Sequence, residues 1–362
     1  MISSIGLGMP PHDITQIQIK HLVKEIFKNR GSKWIDRILP VFDHALIDKR
    51  QFVVEADWFQ NTHTFQEKND LYQQLAVKHS LAAIDDCLTN AFFLKNAVPY
   101  KAIDMIIFTS STGIAAPSLE TFIMSERPFK ENVARMPLWG LGCAGGAAGL
   151  SRAFDWVKAH PDKNVLLVCC ELCSLTFQKE DLQKSNLVGT ALFGDGIGAA
   201  LVMGDRSKYL MYSKHTKPKI TYTDSATMKN SQRVMGWDIT NRGLEVIFSK
   251  SIPALVGSFW KKHIDQFFQT INTDQTAIHS FISHPGGKKV LEAMEDAVQA
   301  PRDKLRYSYE VLRNHGNMSS ATVLYVLRQW MLAGVHEKQL SILSALGPGF
   351  SSELLLLEWV ES

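Results

Sequence analysis

The sequence predicts an α/β fold in which helices cover a largely buried sheet. Helical stretches alternate along the chain with short apolar runs, and glycine-rich segments recur in the same order in its two halves. The apolar runs that indicate strands are Ile103–Ser110, Val165–Cys170, Ile197–Met203, Ile278–Ser283 and Leu340–Ala345. We therefore expect two copies of one α/β unit.

The first predicted element is a helix with one apolar face. That face follows the spacing of an amphipathic helix, with Asp13 as its N-terminal signal, and consists of Ile19, Leu22, Val23, Ile26 and Phe27. Further along, the polar segment 206–234 is the expected junction between the two units. The predicted units are therefore residues 1–205 and 206–362.

Size and charge exclude several classes of protein. The 362 residues are 45% hydrophobic, which is enough for a substantial core, and the net charge of +3 gives no reason to expect nucleic acid as a partner. Residues 1–12 lack the segments of a signal peptide, and no run of about 18 apolar residues occurs. We expect a cytoplasmic protein with no integral membrane segment.

The cysteines and glycines indicate neither a metal site nor a nucleotide cofactor. The five cysteines are an odd number, which favours reduced thiols. Cys170 and Cys173 form a C-x-x-C, but it lies in a predicted strand without a second cysteine pair, so a zinc site is not expected. No glycine-rich phosphate-binding motif is present.

The internal repeat relates three pairs of segments. Phe108–Gly113 matches Phe281–Gly286, Gly142–Ala148 matches Gly316–Thr322, and Gly194–Leu201 matches Gly347–Leu354. The interval between the first and second segments is nearly equal in the two halves, whereas the interval between the second and third is longer in the first half, which indicates an insertion at Gln178–Thr190. The repeat predicts that Cys143, His284 and Asn317 lie at equivalent strand ends and helix starts that face one another.

Cys143 stands between glycines directly before an amphipathic run. A cysteine at a helix start lies in the positive end of the dipole, which favours the thiolate. Gly142, Gly145 and Gly146 would permit unusual dihedral angles and a close approach of a substrate carbonyl to backbone amides. The alternative is that Cys143 is a small buried residue in a tight turn.

Two other side chains are candidates for the same site. His284 follows a predicted strand and precedes a turn, where it could act as a base, and His315 is a rival for that role. Asn317 aligns with Cys143 in the repeat, and its amide could donate two hydrogen bonds to a developing oxyanion. Its alternative role is an N-cap.

Five ordered segments resemble a known family: GLGCAGGAAGL, NLVGTALFGDGIGAALV, SHPGGKKVLEA, NHGNMSSATVLYVL and ALGPGFSSELLLLEW. They are similar to type III polyketide synthases of the chalcone synthase superfamily. The likeness covers residues 100–205 and 235–362 closely and the first hundred loosely. It implies the thiolase fold, a duplicated αβαβα arrangement, and a homodimer.

The resemblance also implies a reaction. Cys143 matches the nucleophile that takes an acyl group from coenzyme A, while His284 and Asn317 match the pair that stabilises the enolate of decarboxylating malonyl-CoA. An imidazolium at His284 would lower the pKa of Cys143 further. Acyl-CoA and malonyl-CoA are the implied substrates, and no cofactor is implied.

The resemblance assigns further residues to substrate binding: Phe193 as a gatekeeper, and Thr176, Ser111, Ser319 and Pro348 in the pocket. Val246, Trp237 and Ala116 stand where plant members have phenylalanine, glycine and methionine. Lys49 and Arg50 fall in the stretch that resembles the coenzyme A entrance.

These differences from the plant members favour a fatty acyl-CoA starter over an aromatic one. Val246 removes one of the two gatekeeping rings, and the small Ala116 leaves room in the pocket for an alkyl chain. Trp237 would limit chain extension, so we expect an alkylpyrone or alkylresorcinol. Two alternatives are an initiating ketosynthase that performs one condensation and a non-catalytic acyl-binding homologue.

Overall fold

A computed structural model describes residues 1–361, with the side chains of positions 32 and 34 excepted. Its strands are β1 (Ile2–Leu7), β2 (His12–Thr15), β3 (Lys49–Phe52), β4 (Met105–Thr109), β5 (Ala134–Leu138), β6 (Asn164–Leu172), β7 (Asp195–Met203), β8 (Lys217–Thr227), β9 (Met235–Thr240), β10 (Gly243–Phe248), β11 (Ile278–Ser283), β12 (Leu340–Gly347) and β13 (Ser351–Val360). Its α-helices are α1 (Gln16–Ile26), α2 (Ser32–Ile38), α3 (Pro40–Asp43), α4 (Phe65–Thr89), α5 (Leu119–Glu126), α6 (Gly145–Ala159), α7 (Lys184–Leu192), α8 (Ile252–Leu255), α9 (Lys261–Thr270), α10 (Lys288–Val298), α11 (Arg306–His315) and α12 (Thr322–Ala333).

Two sheets form the centre of the fold. One has five strands in the order β1-β7-β6-β4-β5, and the other has four in the order β11-β12-β13-β8. The five predicted strands are present as β4, β6, β7, β11 and β12, and every residue of β4, β6 and β7 is buried. Burial on both faces explains why these strands appear as continuous apolar runs.

Helices α6 and α12 lie between the sheets. Helix α6 contacts β4 and β6 of the first sheet and β12 and β13 of the second, and α12 contacts β7 and β11. Helix α4 packs on the outer side of the five-stranded sheet, while α9 and α11 contact β13 and β11. The predicted α/β layering is therefore confirmed as alternating layers of helices and sheets.

The buried face of α6 follows the predicted apolar stripe. Ala147, Leu150 and Val157 are buried, and Phe154 is partly buried. A Cβ atom at Gly146 would lie 2.2 Å from the Ser320 carbonyl oxygen, so a glycine is needed for the helix to approach the loop before α12.

The N-terminal signal of α1 differs from the prediction. Thr15, and not Asp13, caps the helix, because its hydroxyl accepts from the Gln18 N–H while Gln18 Oε1 accepts from the Thr15 N–H. The Asp13 carboxylate instead accepts hydrogen bonds from the side chains of Lys49 and Gln51. Hydroxyl and carboxylate side chains cap helices equally well, so sequence alone did not distinguish them.

The polar segment 206–234 contains a strand rather than only a connection. Strand β8 pairs antiparallel with β13 at the edge of the four-stranded sheet, and its second half is mostly half-buried or exposed. An edge strand tolerates this polar composition. Along the described part of the chain, we find no helix with the combined length and apolar character needed to cross a bilayer.

Candidate active site

Cys143 lies in a single 3₁₀ turn, Gly142–Ala144, that leads directly into α6. Gly142 has φ +46°, and a Cβ atom there would lie 2.8 Å from Pro348 Cδ, so both conformation and space require glycine. Gly145, with φ −57°, is helical, and Gly146 lies inside α6. The expectation of unusual dihedral angles at these two glycines is therefore wrong.

His284 and Asn317 reach the same region from the other half of the chain. His284 directly follows β11, and Asn317 precedes the 3₁₀ turn Ser319–Ala321 that leads into α12. The backbone N–H of His284 donates to the Ser344 carbonyl at 2.8 Å. Cys143, His284 and Asn317 are all buried, with exposed fractions of 5%, 2% and 0%.

The Asn317 amide is held in one orientation beside Cys143. Its Oδ1 accepts from the Ser319 N–H at 2.8 Å, and its Nδ2 lies 3.8 Å from Cys143 Sγ and 3.4 Å from the Gly286 carbonyl oxygen. The Cys143 turn, the segment after β11 that contains Gly286 and the turn before α12 thus meet around one amide group. The two ring nitrogens of His284 have no hydrogen-bond partner among the described residues.

Burial controls the protonation of this site. It raises the pKa of the Cys143 thiol to about 12, and hydrogen bonds with Ser319 and Asn317 lower it by less. Burial also lowers the pKa of His284 to about 3. These shifts do not favour the expected thiolate and imidazolium, and instead favour a neutral thiol beside a neutral imidazole.

Glu171 is a residue that the sequence analysis missed. It is the penultimate residue of the buried strand β6. It accepts hydrogen bonds from the Ser111 N–H at 3.0 Å and the Ser320 hydroxyl at 2.5 Å, and burial raises its pKa to about 7. The Ser111 hydroxyl in turn accepts from the Gly142 N–H at 3.0 Å. Glu171 thus supports the Cys143 turn, and a carboxylate within an apolar run was the available signal.

A cavity adjoins Cys143, and we call it the Cys143 cavity. Its lining includes five predicted pocket residues, Phe193, Trp237, Val246, Ser319 and Pro348, together with Gly142, Cys143, Cys173, Met235, Gly236, Ile247 and Phe248. The lining does not include His284 or Asn317. Asn317 instead contacts Gly286, which lines a second cavity described below.

Phe248 supplies a ring that the sequence analysis did not assign. The ring centroids of Phe193 and Phe248 are 6.5 Å apart with planes at 89°, an edge-to-face contact. Phe248 lies two residues beyond Val246 on β10, and side chains two apart on a strand share a face. The two-residue period of a strand could therefore have predicted Phe248 as the second ring of the gate from the sequence.

Three predicted pocket residues do not line the Cys143 cavity. Thr176 donates its hydroxyl to the Cys173 carbonyl and lines an adjacent cavity, and Ser111 lies behind the Cys143 turn. Ala116 is exposed. It does not line the Cys143 cavity of its own chain, because the loop after β4 is exposed at this position.

Of the two predicted coenzyme A contacts, the one at Arg50 is wrong, and the one at Lys49 stays a prediction. Arg50 is fully buried, and its guanidinium donates to the carbonyl oxygens of Thr190 and Phe193 at 2.7 Å and to Gln16 Oε1 at 2.8 Å. Lys49 pairs with Asp13 at 2.8 Å. Adjacent strand residues point to opposite faces, so a basic pair in a strand does not form one binding surface.

A different basic surface adjoins the site, and we call it the lysine cleft. It has a volume of about 500 Å³ and is lined by Pro40, Val41, His44, Ala45, Lys184, Ser185, Val188, Leu192, Phe248, Ser249, Lys250, Ile252, Pro253, Gly286, Gly287, Lys288, Lys289 and Val290. It shares Phe248 with the Cys143 cavity, and its residue Gly286 contacts Asn317. Phe248 therefore lies at the junction of the two cavities.

The comparisons identify the family. The sequence models of the chalcone and stilbene synthases match residues 1–206 for the N-terminal domain and 219–361 for the C-terminal domain. The Bacillus subtilis (strain 168) protein named "Putative chalcone synthase" is 44% identical over 99% of this chain and 98% of its own length. A 1,3,6,8-tetrahydroxynaphthalene synthase of Streptomyces peucetius is 31% identical over 99% of this chain and 93% of its own.

The structural comparison agrees. The crystal structure of 1,3,6,8-tetrahydroxynaphthalene synthase from Streptomyces coelicolor A3(2), a bacterial type III polyketide synthase, superimposes with a TM-score of 0.92. It is 26% identical and covers 100% of this chain and 99% of that one. The predicted thiolase fold is thereby confirmed. The chain belongs to the chalcone and stilbene synthase family and is a type III polyketide synthase, a malonyl-CoA-dependent condensing transferase.

Proposed function

We propose that this enzyme extends a fatty acyl-CoA starter with malonyl-CoA by decarboxylative Claisen condensation and releases an alkylpyrone or alkylresorcinol. The observation that carries the proposal is the position of Asn317. Its Nδ2 lies 3.8 Å from Cys143 Sγ and 3.4 Å from the Gly286 carbonyl, so it stands between an apolar cavity and the lysine cleft.

Acyl transfer would begin at the neutral Cys143 thiol. Sγ attacks the thioester carbon of the starter, and the thiol proton passes to a ring nitrogen of His284, which has no competing hydrogen bond. The carbon–sulfur bond to coenzyme A breaks, and the departing coenzyme A thiolate takes the proton from His284. The products are the Cys143 thioester and free coenzyme A.

Decarboxylation would use the same two polar side chains. The carboxylate of malonyl-CoA leaves as carbon dioxide, and its electron pair forms an enolate whose oxygen accepts hydrogen bonds from Asn317 Nδ2 and a His284 N–H. The enolate carbon then attacks the Cys143 thioester and releases the thiolate. No base is needed to form the carbanion, because loss of carbon dioxide supplies it.

Coenzyme A would lie in the lysine cleft. Lys184, Lys250, Lys288 and Lys289 line it, and a cluster of ammonium groups attracts the phosphates of coenzyme A. Lys288 also begins helix α10, whose N-terminal end favours anions. The pantetheine arm would pass Phe248 to reach Cys143.

We also propose a homodimer in which each chain completes the pocket of the other. Trp139 follows edge strand β5 and is 48% exposed, and its indole donates to the Gly113 carbonyl beside Ile114, which is 40% exposed. An exposed apolar patch of this kind favours an interface. A second copy at this surface would cover the loop that carries Ala116 and could receive it in its cavity.

The test is the incorporation of radiolabelled malonyl-CoA with saturated acyl-CoA starters and with 4-coumaroyl-CoA. Several malonyl units on an alkyl starter support the proposal. One unit indicates the ketosynthase alternative, and none indicates a non-catalytic homologue. A preference for 4-coumaroyl-CoA would overturn the fatty acyl starter.

A further inference from the structure

Strands β9 and β10 form a hairpin over the Cys143 cavity, and we call it the β9–β10 hairpin. Among the described residues, the two strands pair only with each other, so the hairpin belongs to neither main sheet. Towards its tip, Ile239 is 57% exposed and Arg242 is also exposed. The hairpin therefore lies between the cavity and solvent. The cavity lining that it supplies consists of Met235, Gly236, Trp237, Val246, Ile247 and Phe248.

The Cys143 cavity is too small for the chains that a type III polyketide synthase must hold. Its volume is about 30 Å³, and the adjacent cavity that contains Thr176 adds about 50 Å³. Small-molecule sites typically measure roughly 300–1,000 Å³. A lining element must therefore move. Pro348 lies in the turn between β12 and β13, and Ser319 in the turn before α12, so both belong to the central layers, whereas the β9–β10 hairpin does not.

The β9–β10 hairpin is held together by its own contacts. Glu245 accepts hydrogen bonds from the Thr240 hydroxyl at 2.9 Å and from Arg242 Nε at 3.0 Å, which ties the two strands together near the tip. At the base, the Ser249 N–H donates to the Val234 carbonyl oxygen at 2.8 Å. A swing about this base would leave the ladder between the strands intact, so the hairpin can move as one unit.

Gln178 joins the tip of the hairpin to the rest of the protein. Its Nε2 donates to the Leu244 carbonyl oxygen at 3.2 Å, and its Oε1 accepts from Lys68 Nζ at 3.3 Å. A Cβ atom at Gly243 would lie 3.1 Å from Gln178 Nε2, so the tip rests against this side chain. Within the part of the chain that the structure describes, no other hydrogen bond joins the two strands to a distant segment. Gln178 begins the segment Gln178–Thr190, which the repeat indicated as an insertion.

We propose that the β9–β10 hairpin is a lid over Cys143, which opens to load and release chains larger than the closed cavity, and that Gln178 is the latch that holds it closed. This goes beyond the proposed function and does not depend on which starter is used. Lys68 fixes the direction of the latch, because an ammonium group only donates and therefore requires Gln178 Oε1 on its side. In the open state, water replaces the partners of the latch, so opening costs little free energy.

The experiment compares the alkylation of Cys143 by iodoacetamide and by N-(1-pyrenyl)maleimide, whose four fused rings do not fit the closed cavity. Each rate is divided by the rate of the same reagent with glutathione, and peptide mapping confines the measurement to Cys143. The ratio of the pyrenyl rate to the iodoacetamide rate then reports the open fraction. In wild type, this ratio is well below one.

Gln178→Leu removes the latch and raises the ratio on the order of fivefold, which is the effect of one typical hydrogen bond on an equilibrium. Gln183→Leu is the matched control, because Gln183 is exposed and lies five residues further along the same segment. It leaves the ratio as in wild type. Lys68→Met provides a second test if Gln178→Leu does not fold, because it frees the Gln178 amide and also raises the ratio.

Three results would overturn the lid. They are a wild-type ratio near one, an unchanged ratio in the folded Gln178 and Lys68 variants, and a rise of the same size in Gln183→Leu. Absence of malonyl incorporation with every starter overturns the proposed function instead and leaves the alkylation ratios unaffected.

Discussion

The Asn317 amide lies with its Nδ2 3.8 Å from the sulfur of Cys143, and the Ser319 N–H fixes this orientation by donating to Asn317 Oδ1 at 2.8 Å. Because the amide is oriented before any substrate arrives, it can donate to a developing oxyanion without reorganisation. This geometry makes the contribution of Asn317 to decarboxylation measurable.

Asn317→Ala should lower malonyl-CoA decarboxylation by roughly 10²–10³, because it removes one hydrogen bond to the enolate oxygen. Release of labelled carbon dioxide measures this step. Ser319→Ala is the control, since Ser319 holds Asn317 through its backbone N–H, which the substitution keeps. Equal rates in wild type and Asn317→Ala would remove Asn317 from the mechanism.

Alkylation of Cys143 should depend steeply on pH. With the pKa of the thiol raised to about 12, the thiolate is scarce at neutral pH, and the rate with iodoacetamide should rise about tenfold per pH unit between pH 7 and 9. Peptide mapping by mass spectrometry assigns the labelled cysteine. A rate plateau near pH 6–7 that His284→Gln abolishes would instead show a thiolate–imidazolium pair.

Loss of ammonium groups from the lysine cleft should weaken coenzyme A binding. Lys288→Ala and Lys289→Ala should each raise KM for malonyl-CoA by up to about fivefold at low salt, with kcat little changed. The effect should shrink as salt is added. Lys49→Ala is the matched control, because Lys49 pairs with Asp13 outside the cleft. A KM effect at Lys49 but not in the cleft would contradict this assignment.

The proposed dimer can be tested by mixing subunits. A chain with both Ala116→Met and Cys143→Ala has no nucleophile, so any change in starter preference in its mixed dimers must arise in the wild-type subunit. We expect a shift toward shorter starters, because the methionine fills the partner's pocket. A chain with Cys143→Ala alone is the control. An identical profile in both mixtures, or a monomer in sedimentation velocity, would contradict the proposal.

The internal repeat allowed the sequence to predict both the layered fold and the contact between Cys143 and Asn317. The repeat placed both residues at equivalent positions, and duplicated units bring equivalent helix starts together, as α6 and α12 show. The buried strands were recognisable because burial on both faces leaves little but apolar residues.

The incorrect predictions concern properties that depend on the direction or the burial of a side chain. Arg50 has the charge for a phosphate contact, but its strand turns it inward, where three oxygen atoms accept its hydrogen bonds. Cys143 has the helix start that favours a thiolate, but the removal of water outweighs it. Ala116 lies three residues from a buried position on either side, Gly113 and Leu119, and yet is exposed. These properties depend on the tertiary structure, which spacing along the chain does not report.

The most direct test of the central claim compares wild type with Cys143→Ala in one assay, with labelled malonyl-CoA and a saturated acyl-CoA starter. We predict that wild type yields a product containing the alkyl chain and several malonyl units, identified by mass spectrometry. Cys143→Ala should form none of it and still release some carbon dioxide, because His284 and Asn317 remain. Product formation by Cys143→Ala at the wild-type rate, or products that never contain the starter's alkyl chain, would contradict the account.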